Sequence, residues 1–570
     1  MHPPTLHRRR GRFGYDPTRP IRPEATPPVV ARKEKALRFR SFYVRRLRGY
    51  LLQGLGSNAW PILRASWSFR HRRRLGDREG SDLSGPGQTS RNWWEGAGLG
   101  LMYQIEARPG WRWQRNFDRF NASLKAPDGS LRFDGPFVRP REWVAASKRI
   151  GCDYHVFEAK WHDGICWWDT RHTAWKTPFD ACREFSDASR QAGIRHGYYY
   201  SAVFDHNPDF DEIQPLRRST SSFLGMRGGK RAALRKSLGF SQFIRLVFAG
   251  MERQARKAGV QIEEPYPFFD EFQLNEFTYD PERYERYVLG QLDELCSSYG
   301  AQILWTDWFG AHGEALSEPI MDFMAAKHPH VIVTFNASIL GEPRWAHYLS
   351  WEAHGLRDTW RQVNAWRSLA RPWELVTPAA TNWDVPQPKT NPLENAVTAA
   401  LIMASGGKVN FGVAAEMDGS LNPTVMDGLE SLGRWYAPRR PLFVDAVPMR
   451  YPKASVPGLK LRGEDLVAVA ACLGADRLIH VLDLHPGARA RSHRILLELR
   501  GPAWDGLACV VAEPSGRSLA MNWRDDSISI EVPPELVDPV DTILRLRRRG
   551  KESGPEGPSA ICDRASATGR

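Results

Sequence analysis

The chain has 570 residues, 42% of them apolar and 25% charged, a balance that excludes a wholly disordered, collagen-like or disulfide-minimal protein and demands at least one large core. Its net charge of +14 suggests nucleic acid only until it is located, because residues 1–92 hold 21 Lys and Arg against 6 Asp and Glu while the other 478 hold 58 against 59. The body is therefore neutral and the excess is an extension, with Arg8-Arg9-Arg10, Arg45-Arg46-Leu47-Arg48 and Arg70-His71-Arg72-Arg73-Arg74. Such clusters grip phosphates or an anionic membrane in other proteins, but a disordered extension is the better reading of this composition, and the body indicates no nucleic-acid or membrane partner.

The opening Met1-His2-Pro3-Pro4 lacks an apolar segment beside its first arginines, and no run approaches 18 apolar residues, so a cytoplasmic protein is expected. Residues 76–92, rich in Gly and Ser, read as a linker, so order is expected to begin near Asn92. Apolar and aromatic runs then recur at Leu99–Glu106, Tyr154–Lys160, His196–Ala202, Ile303–Phe309, Val331–Ala337, Tyr348–Ala353, Leu375–Ala380 and Val409–Ala415. Helical patterns at Arg141–Ile150, Asp180–Ala192, Pro281–Ser298 and Pro392–Ala404 separate several of them. Eight strands with crossover helices predict an α/β fold, a (β/α)8 barrel over residues 92–445. Residues 211–275, with the basic stretch Arg227–Lys236, read as an insertion.

From residue 446 the texture changes to strand-like runs without comparable helices: Leu466–Cys472, Arg477–Leu484, Arg494–Leu499, Leu507–Ala512, Ser527–Val532 and Thr542–Leu546. A small β-sandwich over 446–548 is expected, followed by a disordered tail over 549–570. Cys152, Cys166, Cys182, Cys296, Cys472, Cys509 and Cys562 form no Cys-x-x-Cys pair and are odd in number, which speaks against a disulfide framework or a zinc ribbon.

In a β/α barrel, function collects where the strands end and the βα loops begin. Those ends offer Gln104 and Glu106; Lys160, His162 and Asp163; Ser201, Asp205 and His206; Asp307 and Trp308; Asn336; Glu352 and His354; Asn382 and Trp383; Glu416 and Asp418. Two carboxylates stand out because their flanks are apolar. Asp307 closes Ile303-Leu304-Trp305-Thr306, and Glu352 closes Tyr348-Leu349-Ser350-Trp351; a carboxylate there must be partnered or functional. Paired carboxylates among tryptophans, such as Trp161, Trp167, Trp168 and Trp175, are the machinery of glycoside hydrolysis.

The order of motifs also carries a family resemblance. Glu142-Trp-Val-Ala-Ala-Ser-Lys-Arg-Ile-Gly-Cys-Asp-Tyr154, Phe157-Glu-Ala-Lys-Trp-His-Asp-Gly-Ile165 and Trp168-Asp-Thr-Arg-His-Thr-Ala-Trp175 resemble the signature of the α-L-fucosidases of glycoside hydrolase family 29. Gly193-Ile-Arg-His-Gly-Tyr-Tyr-Tyr-Ser201, Gln291-Leu-Asp-Glu-Leu-Cys-Ser-Ser-Tyr-Gly300, Leu304-Trp-Thr-Asp307, Ser405-Gly-Gly-Lys-Val-Asn-Phe-Gly412, Asp418-Gly419 and Leu432-Gly-Arg-Trp435 continue it in order. The resemblance implies a retaining exo-glycosidase on a barrel followed by a sandwich, acting on a carbohydrate without cofactor or metal. It places Asp307 on the nucleophile and His162 on the second histidine of a His-His pair that contacts sugar hydroxyls. Glu352 is the acid/base by its strand-end position, with Glu342 and Glu416 behind it. Gln104, Glu106, Trp161, His162, Asp163, Tyr200, Trp308, Asn336 and His354 make up the expected substrate-binding set.

Departures fall on the sugar readers. Gln104-Ile105-Glu106 stands where the family's first strand reads His-Trp-Gly, and Trp161 replaces the first histidine of the pair, which suggests a different glycone. A non-catalytic carbohydrate-binding protein on the same barrel is the alternative. A metal-dependent hydrolase using His162, Asp163, Asp205 and His206 lacks the expected ligand spacing.

Overall fold

A computed structural model describes residues 92–105, 121–217 with interruptions, 273–274, 280–336 except 308, 346–366, 372–380, 390–449, 456–486 with interruptions, and 495–548 except 525. The expected basic extension, most of the insertion, the tail, Glu106, Trp308, Glu342, Asn382 and Trp383 lie outside the described residues.

Eight parallel strands form one sheet: β1 (Leu99–Gln104), β2 (Tyr154–Lys160), β3 (Arg195–Ser201), β4 (Ile303–Asp307), β5 (Ile332–Phe335), β6 (Leu349–Glu352), β7 (Trp373–Pro378) and β8 (Lys408–Ala414). Their order is β5-β4-β3-β2-β1-β8-β7-β6, and a parallel bridge between Asn336 and Ser350 joins β5 to β6 and closes the (β/α)8 barrel. Almost every strand residue is buried, as parallel strands covered on both faces must be. Outward side chains such as Leu99, Leu101 and Tyr103 pack on the surrounding helices, whereas Met102, Tyr154, Val156, Tyr199, Ile303, Trp305, Ile332, Tyr348 and Val376 fill the interior. Gly100 is required there, because a Cβ on it would lie 2.3 Å from the Tyr154 ring. At the N-terminal end a single 3-10 turn, Asn92–Trp94, plugs the barrel; the Trp94 ring lies 4.4 Å from that of Tyr348 and 4.9 Å from that of Tyr154.

The helices are punctuated as their sequences dictate. α1 (Pro140–Ile150) and α2 (Ala181–Ala192) each end on a left-handed glycine, Gly151 and Gly193, the common C-terminal cap. α3 (Pro281–Ser297), α6 (Pro392–Ala404) and α7 (Pro423–Tyr436) begin with Asp or Asn capping a backbone N–H and proline in the first turn, which satisfies orphan donors without costing one. α4 (Phe309–Lys327) and α5 (Gly355–Trp366) follow β4 and β6 almost without a loop. Among the described residues no helix is long and apolar enough to cross a membrane.

Beyond the barrel, two antiparallel sheets of six and four strands enclose a second core around Ile479, Leu497, Val510, Ile530 and Leu544, the sandwich. Strands Leu459–Arg462 and Met521–Arg524, absent from the expected set, flank the four-stranded sheet; their exposed polar side chains leave little apolar signal. Trp435, at the end of α7, and Arg439, in the 3-10 turn that follows, bind Asp538 and tie the sandwich to the barrel. Within the expected insertion, Leu216–Arg217 pairs with Gln273–Leu274.

Candidate active site

Side chains alternate between the two faces of a strand, so residues two apart share a face. Counting from the interior residues Tyr199, Trp305 and Tyr348 brings Ser201, Asp307 and Glu352 to the inside of the barrel, at the end where the βα loops open. β4, β5 and β6 are neighbours in the closed barrel, and their ends carry Asp307, Asn336 and Glu352. The Asn336 amide unites them: Nδ2 donates to Asp307 Oδ1 at 2.7 Å and to Glu352 Oε1 at 2.6 Å. Two acceptors sharing one nitrogen cannot lie farther apart than the sum of those distances, about 5.3 Å, and the trigonal angle between its hydrogens brings them to about 4.6 Å.

Asp307 is buried and receives further donors. The Tyr199 hydroxyl donates to Oδ2, and His162 Nε2 stands 3.8 Å from the same oxygen. His162 is oriented by Ser201, whose Oγ is 2.6 Å from Nδ1, and its ring lies 4.2 Å from that of Trp161. A carboxylate offers only acceptors, and this one accepts from a hydroxyl and an amide, with the imidazole of His162 nearby. Glu352 is more open, at 35% side-chain exposure, with His354 Nε2 4.0 Å from Oε2. The more exposed carboxylate is the one able to exchange protons with solvent.

Other expected site residues scatter. Gln104, on the inner face of β1, is buried with Oε1 lacking a hydrogen-bond partner among the described residues. Asp163 shapes the loop after β2, where its Oδ1 accepts Ile165 N at 2.9 Å. Tyr200 is displaced from the pocket: its hydroxyl accepts from Lys160 Nζ at 2.9 Å and donates to Gln291 Oε1 at 2.7 Å, on the outer face against α3. One step of strand parity separates it from Tyr199, which takes the inward place. Lys160 and Asp205 form a fully buried ion pair in the same outer layer, and His206 Nδ1 lies 2.7 Å from Asp211 Oδ1. The four residues considered for a metal are thus engaged separately, and no group of three or more metal-ligating side chains occurs among the described residues. Glu416 accepts from Asn422 Nδ2 at 3.5 Å in the turn after β8, where Asp418 pairs with Arg139.

Besides Tyr199, sequence reasoning passed over Glu158 and Glu374. Glu158 is buried on the inner face of β2, beside Tyr199 in the strand register, and accepts Ile105 N at 3.2 Å. Glu374 is buried one layer deeper, under Asp307 and Glu352. Parity counted back from Ser201 would have found Tyr199; an acidic residue inside an apolar run is the signal that the other two carry.

The family model for α-L-fucosidase matches residues 108–438. Among solved structures, an α-fucosidase of Thermotoga maritima aligns with 18% identity and a TM-score of 0.52 over 80% of this chain and 96% of its own. α-L-fucosidase isoenzyme 1 of Paenibacillus thiaminolyticus aligns with 19% identity and a TM-score of 0.53 over 81% and 99%. A trapped covalent intermediate of a Bacteroides thetaiotaomicron α-L-fucosidase aligns with 15% identity and a TM-score of 0.51 over 83% and 98%. No curated protein sequence matches.

Proposed function

Because the chain belongs to the α-L-fucosidase family of glycoside hydrolases, we propose that it cleaves a terminal glycosidic bond with retention, Asp307 acting as nucleophile and Glu352 as acid/base. The carrying observation is the shared Asn336 amide, which brings one oxygen of each carboxyl group to about 4.6 Å from the other and allows no more than about 5.3 Å. Retaining enzymes need about 5–5.5 Å, whereas an inverting pair, with water between, needs about 6.5–9.5 Å.

In the first step Asp307 attacks the anomeric carbon while Glu352 gives its proton to the departing oxygen. The C–O bond to the aglycone breaks, an ester to Asp307 forms, and the alcohol leaves. Glu352, now ionised, takes a proton from water as the water oxygen attacks the same carbon; the ester breaks and the carboxylate of Asp307 is restored. Asn336, Tyr199 and His162 hold Asp307 in line, so the orientation of the nucleophile is fixed before substrate arrives.

α-L-Fucose is the first candidate glycone. Gln104 Oε1, without a partner among the described residues, and the ring of Trp161 supply an acceptor and a stacking face where two histidines would otherwise read hydroxyls, a change that also favours binding without turnover as the second reading. Release of aryl alcohol from a panel of aryl glycosides headed by the α-L-fucoside, with Asp307→Ala beside the wild type, decides. Hydrolysis lost in the variant supports the glycosidase; sugar binding with no turnover by folded wild type supports the second reading.

A further inference from the structure

Glu374 stands on β7 inside the barrel, fully buried. Its register partners are Ser350 on β6 and Lys408 on β8. Ser350 lies two residues before Glu352, and Trp305 two before Asp307, a rise of about 6.6 Å along a strand. The carboxylate therefore occupies the layer directly beneath the two site carboxylates. Donors surround it: Tyr154 Oη at 2.5 Å and Asn410 Nδ2 at 3.4 Å reach Oε2, while Trp305 Nε1 at 3.0 Å and Ser350 Oγ at 3.4 Å reach Oε1.

The titratable groups facing it from the packed strands are the phenols of Tyr154 and Tyr348, which burial pushes well up, and Lys408, which burial pulls down to about 8. Burial pushes Glu374 itself up to about 7, against the opposing effect of its hydrogen bonds. A carboxyl group this deep can still change its proton in the neutral range, and once protonated it turns one oxygen from acceptor to donor.

Two routes lead upward. Trp305, fixed through Nε1, is stacked by Tyr199 with centroids 5.3 Å apart and planes at 20°, and Tyr199 donates to Asp307. Ser350 bridges to Asn336 through the backbone, and Asn336 holds both carboxylates.

We infer that Glu374 is a positioning residue: as an anion it locks Trp305 and Ser350, and through them sets Tyr199 and Asn336 against Asp307 and Glu352, so that its protonation loosens the site. This rests on the glycosidase reading above. It touches no substrate, so its removal acts on turnover and not on binding.

The test uses the full chain labelled with 5-fluorotryptophan, the Trp305 signal being assigned by its loss in Trp305→Phe, together with pH profiles of kcat and KM on the aryl glycoside that the wild type hydrolyses. The expected result is a Trp305 signal that titrates near neutrality, with kcat falling on the acid side over the same range. Glu374→Gln should abolish that titration and lower kcat by about tenfold or more, since an ångström of misplacement can cost about a hundredfold, with KM changed less than about threefold. A Trp305 signal indifferent to pH, or an active Glu374→Gln with wild-type kcat and profile, overturns the inference. Should that variant fail to fold, the wild-type titration and its coincidence with kcat decide alone. A wild type silent on every glycoside but with a titrating Trp305 overturns the glycosidase reading instead.

Discussion

Replacing Asn336 by alanine removes a group that touches both carboxylates. Nδ2 gives a hydrogen bond of 2.7 Å to Asp307 and one of 2.6 Å to Glu352; bonds to charged groups contribute about 1.5–3 kcal/mol each. Asp307 keeps its bond from Tyr199 and the nearby His162, so its position is only partly lost, whereas Glu352 loses the contact that turns it toward its partner. Without the amide, and whenever Glu352 is not holding its proton, the two carboxylates about 4.6 Å apart repel by about 3.6 kcal/mol at an effective dielectric of about 20. The side chains relieve this by swinging apart or by sharing a proton directly. Either response removes the approach of nucleophile and acid from opposite sides of the glycosidic bond. Taking one charge-assisted bond, about 3 kcal/mol, as the loss felt in the transition state gives a fall of roughly 150-fold in kcat/KM. The fall should lie mainly in kcat, because neither bond is made to substrate. The backbone bridge of Asn336 to Ser350 remains, so the melting temperature should move by only a few degrees. The assay is initial-rate hydrolysis of the best aryl glycoside between about pH 4 and 9, with calorimetry on the same samples. A variant with kcat/KM within about threefold of wild type and the same melting temperature would refute the reasoning.

Two further outcomes test individual roles. Glu352→Ala should still release a good aryl leaving group, which needs little protonation, then stall at the glycosyl-enzyme; a burst of phenol followed by a slow phase is expected, and added azide, a nucleophile that needs no base, should restore turnover as glycosyl azide of retained configuration. An inverted azide product would reverse the roles of the two carboxylates. Tyr199→Phe should lower kcat about tenfold while sparing the fold, whereas Tyr200→Phe, which loses bonds to Lys160 and Gln291 in the outer layer, should lower the melting temperature and leave kcat within about twofold. Equal effects on kcat would remove the distinction between the two faces of β3.

The barrel strands are legible because each is a short run dominated by apolar or aromatic residues, and Asp307 and Glu352 are legible because they stand at the end of such runs. The same property hides what lies between. A parallel strand buried on both sides does not alternate between polar and apolar residues, so the residue types in Tyr198-Tyr199-Tyr200 do not say which ring looks inward, and only parity counted back from Ser201 does. Glu158 and Glu374 were obscured for a related reason: their meaning depends on the strand beside them, and register is set by the closed sheet. Helices α4 and α5 escaped notice because they begin within three residues of a strand end, leaving no turn signal, whereas Asp280-Pro281 and Asn391-Pro392 announce theirs; α7 also lay outside the expected set, although Asn422-Pro423 carries the same start signal.

The indole of Trp94, set across the floor of the barrel on Tyr154 and Tyr348, and the side chains packed above it bar the floor, so among the described residues Asp307 and Glu352 are approached from the side of the βα loops. On the proposed reaction everything must then pass through the same opening in turn: the sugar arrives, the alcohol departs, and only afterwards can a second molecule reach the ester. An alcohol that lingers at the threshold is itself positioned to take the sugar back, and a different alcohol arriving before water would carry it away. The partition between hydrolysis and transfer thus becomes a question of traffic at one gate, governed by how long each visitor stays.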